Sequence, residues 1–316
     1  MQLIGLGFKV FYIVVPFCGI TGNVLLLTAT GKYKQLRSTC NILIAAVALG
    51  DVFHQISFVA AIILHELLED HVMTQRNCLY VQTLMLCGVV SSSWLLLSVA
   101  VDRFLSLHQF YQSLVSVNKT MYLCCHIGVS VAISLIFLVW AYAIQHSDVE
   151  TLCTITSSLQ GLPVYDAFSD ILMAVNVAVL AVYAVFLIRV RKVVVDDRSG
   201  KSVYRSLTII VFTVLMGWFS TVLFANVIQP TLFPNLDHNT IDFIAGIFVN
   251  LALSCNFFVY YIVSKEYRKV FNELLHLDHK RSRTIEQPPK AAWKLAGRTP
   301  AQVCSTSSDN KLVLSS

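Results

Sequence analysis

The chain has 316 residues, of which 56% are hydrophobic and only 13% are charged, and its net charge is +5. A soluble domain carries about 25% charged residues. The composition therefore excludes an ordinary water-soluble protein and favours a chain that crosses a lipid bilayer.

Seven apolar runs follow one another along the chain, and each is long enough to span a bilayer as a helix. Helices are expected because the bilayer core offers no hydrogen-bond partners to unpaired backbone groups. The runs also lack the alternation that is typical of membrane β-strands. We predict an all-α membrane protein, a seven-transmembrane helix bundle with spans at residues 10–30, 42–64, 79–101, 121–144, 167–188, 206–229 and 242–263.

A short amphipathic helix is predicted directly after the seventh run, in "SKEYRKVFNELLHL". Its apolar residues recur with helical spacing, and basic residues occupy the other faces; the apolar residues are Tyr267, Val270, Phe271, Leu274 and Leu275. The membrane domain would then comprise residues 1–277. Residues 278–316 are polar, with two prolines and a Ser/Thr cluster, and are expected to form a disordered cytoplasmic tail.

The basic residues predict the orientation in the membrane. If the N-terminus faces outside, all but two of the 23 Lys and Arg residues lie in inner segments, the exceptions being Lys9 and Arg76. Such a bias is typical of cytoplasmic loops. We therefore predict a multi-pass plasma-membrane protein with its C-terminus inside. The net positive charge follows from this topology, so lipid is an expected partner and nucleic acid is not.

Two of the nine cysteines would lie on the outer side of the membrane. Cys78 stands at the outer start of the third run, and Cys153 lies between the fourth and fifth runs. Because both would face the oxidising side, we expect a disulfide between them. The alternative is two unpaired, small apolar side chains.

A carboxyl group, Asp51, stands in the middle of the second run. At membrane depth it needs hydrogen-bond donors, a cation or a proton. Asn23, the serines at 91–93 and Asn256 could supply a polar patch around it. The patch would hold Na⁺ or a proton, or would serve as static interhelical contacts, an equally good alternative. No other cofactor is expected.

The third run ends at the pair Asp102-Arg103, after 25 residues that contain no Lys, Arg, Asp or Glu. One interpretation is a latch, in which Asp102 holds Arg103 in one state and releases it to a partner in another. The charge pattern alone favours a simpler interpretation, an anchoring Arg with a neighbouring counter-ion.

The ordered set Gly22-Asn23, Asp51, Cys78, Asp102-Arg103-Phe104, Trp218 and "NFFVY" resembles the rhodopsin-like G-protein-coupled receptors. The spacings of 28, 27 and 25 residues between Asn23, Asp51, Cys78 and Arg103 match that family. A narrower resemblance, to the nematode chemoreceptors of serpentine receptor class SX, extends over about residues 15–275. It rests on "KYKQLRSTCNILIA", "GWFST" and "NFFVYYIVSKEYRKVF".

The resemblance implies a chemosensory receptor with a ligand outside and a heterotrimeric G protein inside. It assigns activation and coupling to Asp102, Arg103, Phe104, Tyr183, Trp218, Asn256 and Tyr260, and a sodium site to Asp51, Ser92 and Asn256. The Ser/Thr-rich tail suggests a receptor kinase and arrestin as further partners, although an inert tail fits the sequence equally well.

The resemblance also implies a ligand pocket that opens outward between the third, fifth, sixth and seventh helices. Its candidate lining residues, each of which could instead pack between helices, are Gln82, Met85, Val89, Asp170, Trp218, Thr221 and Asn250. Met85 stands where amine receptors carry an acid. We therefore expect a small, weakly polar ligand rather than a protonated monoamine.

The sequence departs from the family pattern at several points. Ser220, Phe257 and Val175 stand at or near positions where prolines are expected, and Gly200 replaces an acid at the inner end of the sixth helix. Helix kinks should therefore differ from those of the family. A latch from Arg103 to the sixth helix is not expected.

Other functions have weaker support in the sequence. A transporter or channel would want repeats, broken helices or a charged path, and only Asp51 and His54 qualify for such a path. A retinal pump needs a lysine in the last helix, and none lies between Ile241 and Ser264. No paired nucleophile and base or metal-binding motif of an enzyme is present in the sequence.

Overall fold

The computed structural model describes residues 4–145, 149–193, 209, 217–221, 223–224, 228–233, 235 and 238–277. Long helices dominate this part of the chain: α1 Leu6–Lys32, α2 Thr39–Leu67, α3 Gln75–Leu105, α4 Gln109–Ile144, α5 Pro163–Val193, the short α6 Gln229–Leu232, α7 His238–Val263 and α8 Lys265–Leu274. A 3₁₀ turn, Lys34–Leu36, joins α1 to α2. Two strands of two residues each, β1 Met73–Thr74 and β2 Glu150–Thr151, pair antiparallel.

Six of the helices described, α1 to α5 and α7, are long and apolar enough to cross a bilayer. Each contains one of the predicted runs and extends it by a few residues, except α4, which begins 12 residues earlier. The sixth predicted run, 206–229, lies largely outside the described residues. Within it, residues 217–221 are helical and α6 begins at its end. The chain is an all-α membrane protein, as the sequence predicts.

Several of the helices begin with a side-chain cap. Ser38 accepts a hydrogen bond from the backbone N–H of Asn41, and Thr74 and Ser264 cap α3 and α8 in the same way. These caps satisfy N–H groups that have no partner within the helix. In α4 the backbone leaves helical geometry at Asn118, just before the predicted span begins at residue 121. The first turns of α4 therefore form a separate segment.

Helices α2 and α3 approach closely at two glycines. A Cβ atom on Gly50 would lie 2.7 Å from the carbonyl oxygen of Gly88, and one on Gly88 would lie 2.7 Å from the Cβ of Phe53. Small residues let helix backbones approach in this way in membranes, where packing replaces the hydrophobic driving force. This contact fixes the register of α2 against α3.

The surface helix α8 is attached to the bundle through its apolar face. Tyr267, Val270 and Phe271 are buried and belong to the large apolar cluster that also contains Val179 and Tyr260. The prediction of an amphipathic helix is confirmed. Its last predicted member, Leu275, follows the end of α8 and is exposed.

The opposite end of the bundle is closed by a loop that a disulfide holds. Cys78 of α3 is bonded to Cys153, which confirms the predicted bridge. Beside it, the backbone N–H of Gln75 donates to the carbonyl of Val149, and the Gln75 side chain donates to the carbonyls of Ser157 and Gln160. The loop after β2 is thus fastened across the start of α3.

Gly88→Leu should destabilise the bundle, because the new side chain would collide with Phe53 and with the backbone of α2. We expect a loss of about 1–3 kcal/mol in the free energy of unfolding. Thermal unfolding of the purified protein in detergent measures it. Gly128→Leu is the matched control, since Gly128 is exposed on α4 with nothing near its Cβ position. Equal melting temperatures for the two variants would contradict the close approach.

Candidate functional site

A cavity of about 610 Å³ lies between α2, α3, α5 and α7, on the side of the disulfide. Its size is that of a pocket for a small organic molecule. The loop that follows Cys153 contributes Thr154, Ile155 and Thr156 to its wall. Trp218 and Thr221, from the helical residues 217–221, complete the lining on the remaining side.

The inner end of the cavity is aromatic. The imidazole of His54 stacks on Phe58, with ring centroids 5.3 Å apart, and lies 5.8 Å from the ring of Trp218. His54 is buried, with 6% of its surface exposed. Trp218 packs against both of the large apolar clusters of the bundle. A ligand that reaches this depth would touch the packed core.

The outer end of the cavity is acidic. Asp166 and Asp170 lie one turn apart in the first turns of α5, and Asp242 faces them from α7. The Thr156 hydroxyl donates a hydrogen bond of 2.6 Å to the Asp242 carboxylate. This bond ties the disulfide-held loop to α7 over the cavity. We refer to Asp166, Asp170 and Asp242 as the acidic rim.

Four of the seven pocket residues that the sequence predicts line the cavity, namely Val89, Asp170, Trp218 and Thr221. The other three are not among the lining residues. Gln82 is buried and donates to the Cys153 sulfur at 3.8 Å, Met85 packs against the apolar cluster of α3, α4 and α5, and Asn250 is fully buried on α7. As ligand contacts, all seven remain predictions.

Sequence reasoning did not include Asp166, Asp242 or His54 in the pocket. The acids stand at the starts of the fifth and seventh apolar runs, and the spacing of Asp166 and Asp170 is that of one helix face. That spacing could therefore have identified the two acids on α5 as neighbours on one face. The contact of Asp242 with Thr156 joins residues 86 positions apart and has no signature in the sequence.

The polar patch around Asp51 lies deeper in the bundle. The Asn256 side-chain amide donates to the Asp51 carboxylate at 3.0 Å. Ser92 lies beside that carboxylate, while its hydroxyl donates to the Val89 carbonyl at 3.2 Å. The Asn256 side-chain oxygen is buried and has no hydrogen-bond partner in the part of the chain that the structure describes. Carboxylate, amide and hydroxyl oxygens are ligands that suit a hard cation. The three residues therefore fit the predicted sodium site.

Asn23, which the sequence also suggests for this patch, belongs to a neighbouring network instead. Its side chain donates to the Gln55 side chain and to the Leu253 carbonyl, both at 3.4 Å. Gln55 in turn donates to Ser254 at 2.9 Å. Ser91 and Ser93 hydrogen-bond to backbone carbonyls within α3.

Asp102 and Arg103 form a buried ion pair at the end of α3 opposite the disulfide. The Arg103 Nε and Nη2 atoms both donate to one Asp102 oxygen, the first at 3.1 Å, and the two residues are 0% and 4% exposed. Tyr111 donates to the other Asp102 oxygen at 2.7 Å, and its hydroxyl is 2.7 Å from that of Thr39. The sequence pointed to neither Tyr111 nor Thr39.

The remaining predicted activation residues lie near this pair. Phe104 is half-buried, and its ring contacts His108 at a centroid distance of 5.4 Å. Tyr183 and Tyr260 are buried in one apolar cluster and interact electrostatically with each other, and Tyr183 also interacts with Arg103. Tyr260 packs on Tyr267 of α8, with centroids 4.8 Å apart.

Helix α3 connects the three sites in order. Val89 lines the cavity, Ser92 belongs to the Asp51 patch, and Arg103 forms the ion pair. At 1.5 Å per residue, Val89 and Arg103 are about 21 Å apart along the helix. The arrangement separates a ligand-sized cavity from a buried charge pair by most of a membrane thickness.

Residues 16–275 match the family model described as "Serpentine type 7TM GPCR chemoreceptor Srsx". The chain belongs to this family. The match confirms the resemblance that the sequence motifs predict, over nearly the same residues. It also accounts for the sixth predicted span, because members of this receptor family have seven transmembrane helices.

The Srsx chain also resembles a "QRFP-like peptide receptor" of Branchiostoma floridae, with 25% identity over 130 residues. The similar region is 41% of this chain and 32% of that receptor. The chain is therefore matched to about a third of that relative's length.

In this Srsx member, Phe257 has a packing role at the position where the broader receptor family carries proline. Its Cβ atom lies 2.6 Å from the position that a Cβ of Gly22 would occupy, and its ring contacts Phe271 of α8 at 4.8 Å. The side chain thus joins α1, α7 and α8. Val175 is buried in the same large cluster, and Ser220 lies in the helical residues 217–221. Gly200 lies outside the described residues.

Tyr111→Phe should lower stability, because it removes one hydrogen bond from the buried Asp102 carboxylate and one from Thr39. A buried charged group that loses a partner costs about 1–3 kcal/mol, which a lower melting temperature of the purified receptor would report. Tyr80→Phe is the control, since Tyr80 is 60% exposed. An unchanged melting temperature for Tyr111→Phe would show that Arg103 alone satisfies Asp102.

Proposed function

We propose that this chain is a G-protein-coupled chemoreceptor of the plasma membrane, with its disulfide end outside and α8 at the cytoplasmic face. It binds a small molecule in the cavity and activates a heterotrimeric G protein at the Arg103 end. The observation that carries the proposal is that α3 lines a ligand-sized cavity at Val89 and forms the buried Asp102–Arg103 pair about 21 Å further along.

The ion pair is suited to a two-state switch. While Asp102 holds Arg103, the guanidinium is 4% exposed and is withheld from a partner. Breaking a buried pair is costly unless both charges find new partners. A G protein that accepts hydrogen bonds from Arg103 would compensate for the lost contact, and Tyr111 would keep Asp102 paired meanwhile. The exchange therefore favours Arg103 release only when the transducer is present.

The Asp51 patch lies between the cavity and this switch, where a cation would couple α2, α3 and α7. Asp51, Ser92 and Asn256 supply one oxygen-bearing side chain from each of these helices. Na⁺ bound here would stabilise the arrangement in which the three helices stay together. A proton on Asp51 is the alternative occupant.

The ligand would influence the switch through Trp218, which touches the cavity and packs against both apolar clusters. The larger cluster contains Tyr260 and Tyr183, and Tyr183 interacts electrostatically with Arg103. A shift of Trp218 would therefore change the packing of the side chains around the ion pair.

A peptide is the second candidate ligand, because the similar Branchiostoma floridae protein is described as a peptide receptor. The cavity could hold one end of a peptide and leave the rest outside. A transporter or channel would instead give ligand-independent uptake or current. Residues 278–316 lie outside the described residues; we propose that their Ser/Thr cluster is a site for a receptor kinase and arrestin.

Arg103→Ala should abolish ligand-stimulated nucleotide exchange on a G protein, because the residue that would contact the transducer is gone. Exchange is measured in membranes that carry equal amounts of surface receptor, with the agonist found by a second-messenger screen. Lys269→Ala, an exposed basic residue of α8, should retain exchange. Full activity of Arg103→Ala would contradict the proposed role.

Na⁺ should raise the melting temperature of the purified receptor more than K⁺ does at equal ionic strength, because it would bind the folded state at Asp51. Binding at ten times the dissociation constant contributes about 1.4 kcal/mol. Asp51→Asn should remove the difference between the two salts, whereas Asp170→Asn should keep it. Equal effects of Na⁺ and K⁺ on the wild-type receptor would argue for a proton or a static contact.

A further inference from the structure

We propose that the cavity takes a positively charged ligand. A basic ammonium or guanidinium group would be held at the acidic rim by Asp166 and Asp170, on an apolar body that extends inward to His54. This inference rests on the proposed function for the place of the ligand and adds the ligand's chemical class.

The charge of the rim is the first observation. Asp166 and Asp170 line the cavity from one face of α5, and within the described part of the chain neither makes a hydrogen bond or an ion pair. Asp242 adds a third carboxylate from α7. The hydroxyl of Tyr165 interacts electrostatically with both Asp166 and Asp242, so carboxylates from the two helices lie near one side chain.

No basic residue lies beside the acids in the described lining: among the cavity-lining residues that the structure describes there is neither Lys nor Arg. Three carboxylates in a cleft with apolar walls repel one another and focus a negative potential into it. A cation relieves that repulsion, whereas an anion would increase it. The rim therefore selects for a basic ligand group.

The unpartnered imidazole of His54 is the second, independent observation. The residue lines the inner part of the cavity and is only 6% exposed. Its ring has no hydrogen-bond partner among the described residues. Phe58 and Trp218 lie beside the ring. A ligand group that donates to or accepts from the imidazole would supply the hydrogen bond that the described residues do not.

The dimensions define the rest of the ligand. His54 and Ala61 both line the cavity and are seven residues apart on α2, which corresponds to about 10 Å along the axis. The walls between them include Phe58, Phe168 and Phe243. The ligand is thus an elongated aromatic or aliphatic molecule with a basic end. This differs from the weakly polar ligand that Met85 suggested, because the acids come from α5 and α7 instead of α3.

Binding of matched probes to the purified full-length receptor in lipid nanodiscs tests the proposal without a G protein. The first series is 4-phenylbutylamine, 4-phenylbutanol and 4-phenylbutanoate, which differ in charge. The second is N-acetyl-Phe-Lys-amide and its Nε-acetyl-lysine counterpart, which represent a peptide end. Affinities are read from thermal shifts up to about 10 mM, the range expected for fragments of this size.

We expect the cationic member of at least one series to bind at least about tenfold more tightly than its neutral and anionic counterparts. The series whose cation binds more tightly shows whether the ligand is a small amine or the end of a peptide. Asp170→Asn and Asp166→Asn should each weaken cation binding by about tenfold and leave neutral probes unchanged, whereas Glu69→Gln, an exposed acid outside the cavity, should change neither. Raising KCl from about 0.1 to 1 M should weaken the cations selectively.

The His54 contact is tested with 4-hydroxyphenyl-alkylamines of increasing length, up to about 10 Å. Their terminal hydroxyl should improve affinity over the phenyl analogues, and His54→Phe should abolish that improvement.

The proposal is overturned if neutral or anionic probes bind as well as cations, if no cation binds, or if both rim variants bind cations normally. Because G-protein activation is not measured, such a result leaves the receptor function standing, and loss of coupling in Arg103→Ala does not bear on the cation site.

Discussion

The scarcity of hydrogen-bond partners in lipid is the constraint on which the rest of this structure depends. A polar side chain on a membrane helix must find its partner within the protein. Asp102, for example, is completely buried, and both its oxygens are used, one by Arg103 and one by Tyr111. Asp51 likewise accepts a hydrogen bond from the Asn256 side chain. These pairings are what let charges remain inside an apolar bundle.

The same constraint gives meaning to the polar groups that stay unpaired. The buried Asn256 side-chain oxygen has no hydrogen-bond partner within the described residues, and the imidazole of His54 lines the cavity. A cation could pair with the first and a small ligand with the second. Asn250 is also buried and unpaired among the described residues, but it does not line the cavity. The paired groups hold the helices together, and the unpaired groups at the cavity and beside Asp51 are those that we propose to contact a ligand and a cation.

The sequence was sufficient for the helices and for the local pairs. Bilayer thickness fixes the length of an apolar run, so six spans are found where hydropathy places them. Adjacent residues such as Asp102 and Arg103 can be paired from their positions alone, and the compartment argument correctly joined Cys78 to Cys153. The three quoted sequence segments also identified the family.

What the sequence could not supply were contacts that depend on how helices rotate and pack. The bond from Tyr111 to Asp102 requires the turn that precedes α4 to fold beneath α3, and the bond from Thr156 to Asp242 requires a loop to cross the cavity. Gln82 and Met85 lie on α3 at plausible depths, yet the packing of α3 turns them away from the cavity lining. The spacing of residues along the sequence predicts how deep a side chain lies in the membrane far better than it predicts which neighbouring helix or cavity the side chain faces.

Phe257, in place of a proline, lets α7 continue as one unbroken helix. Because no proline interrupts it there, α7 runs as one helix from His238 to Val263, with Asp242 near one end and Tyr260 near the other. Eighteen residues of unbroken helix separate those two side chains by about 27 Å. A displacement of α7 at its Asp242 end would therefore be transmitted to Tyr260 and, through Tyr267, to α8, because the helix has no break there that could absorb the motion.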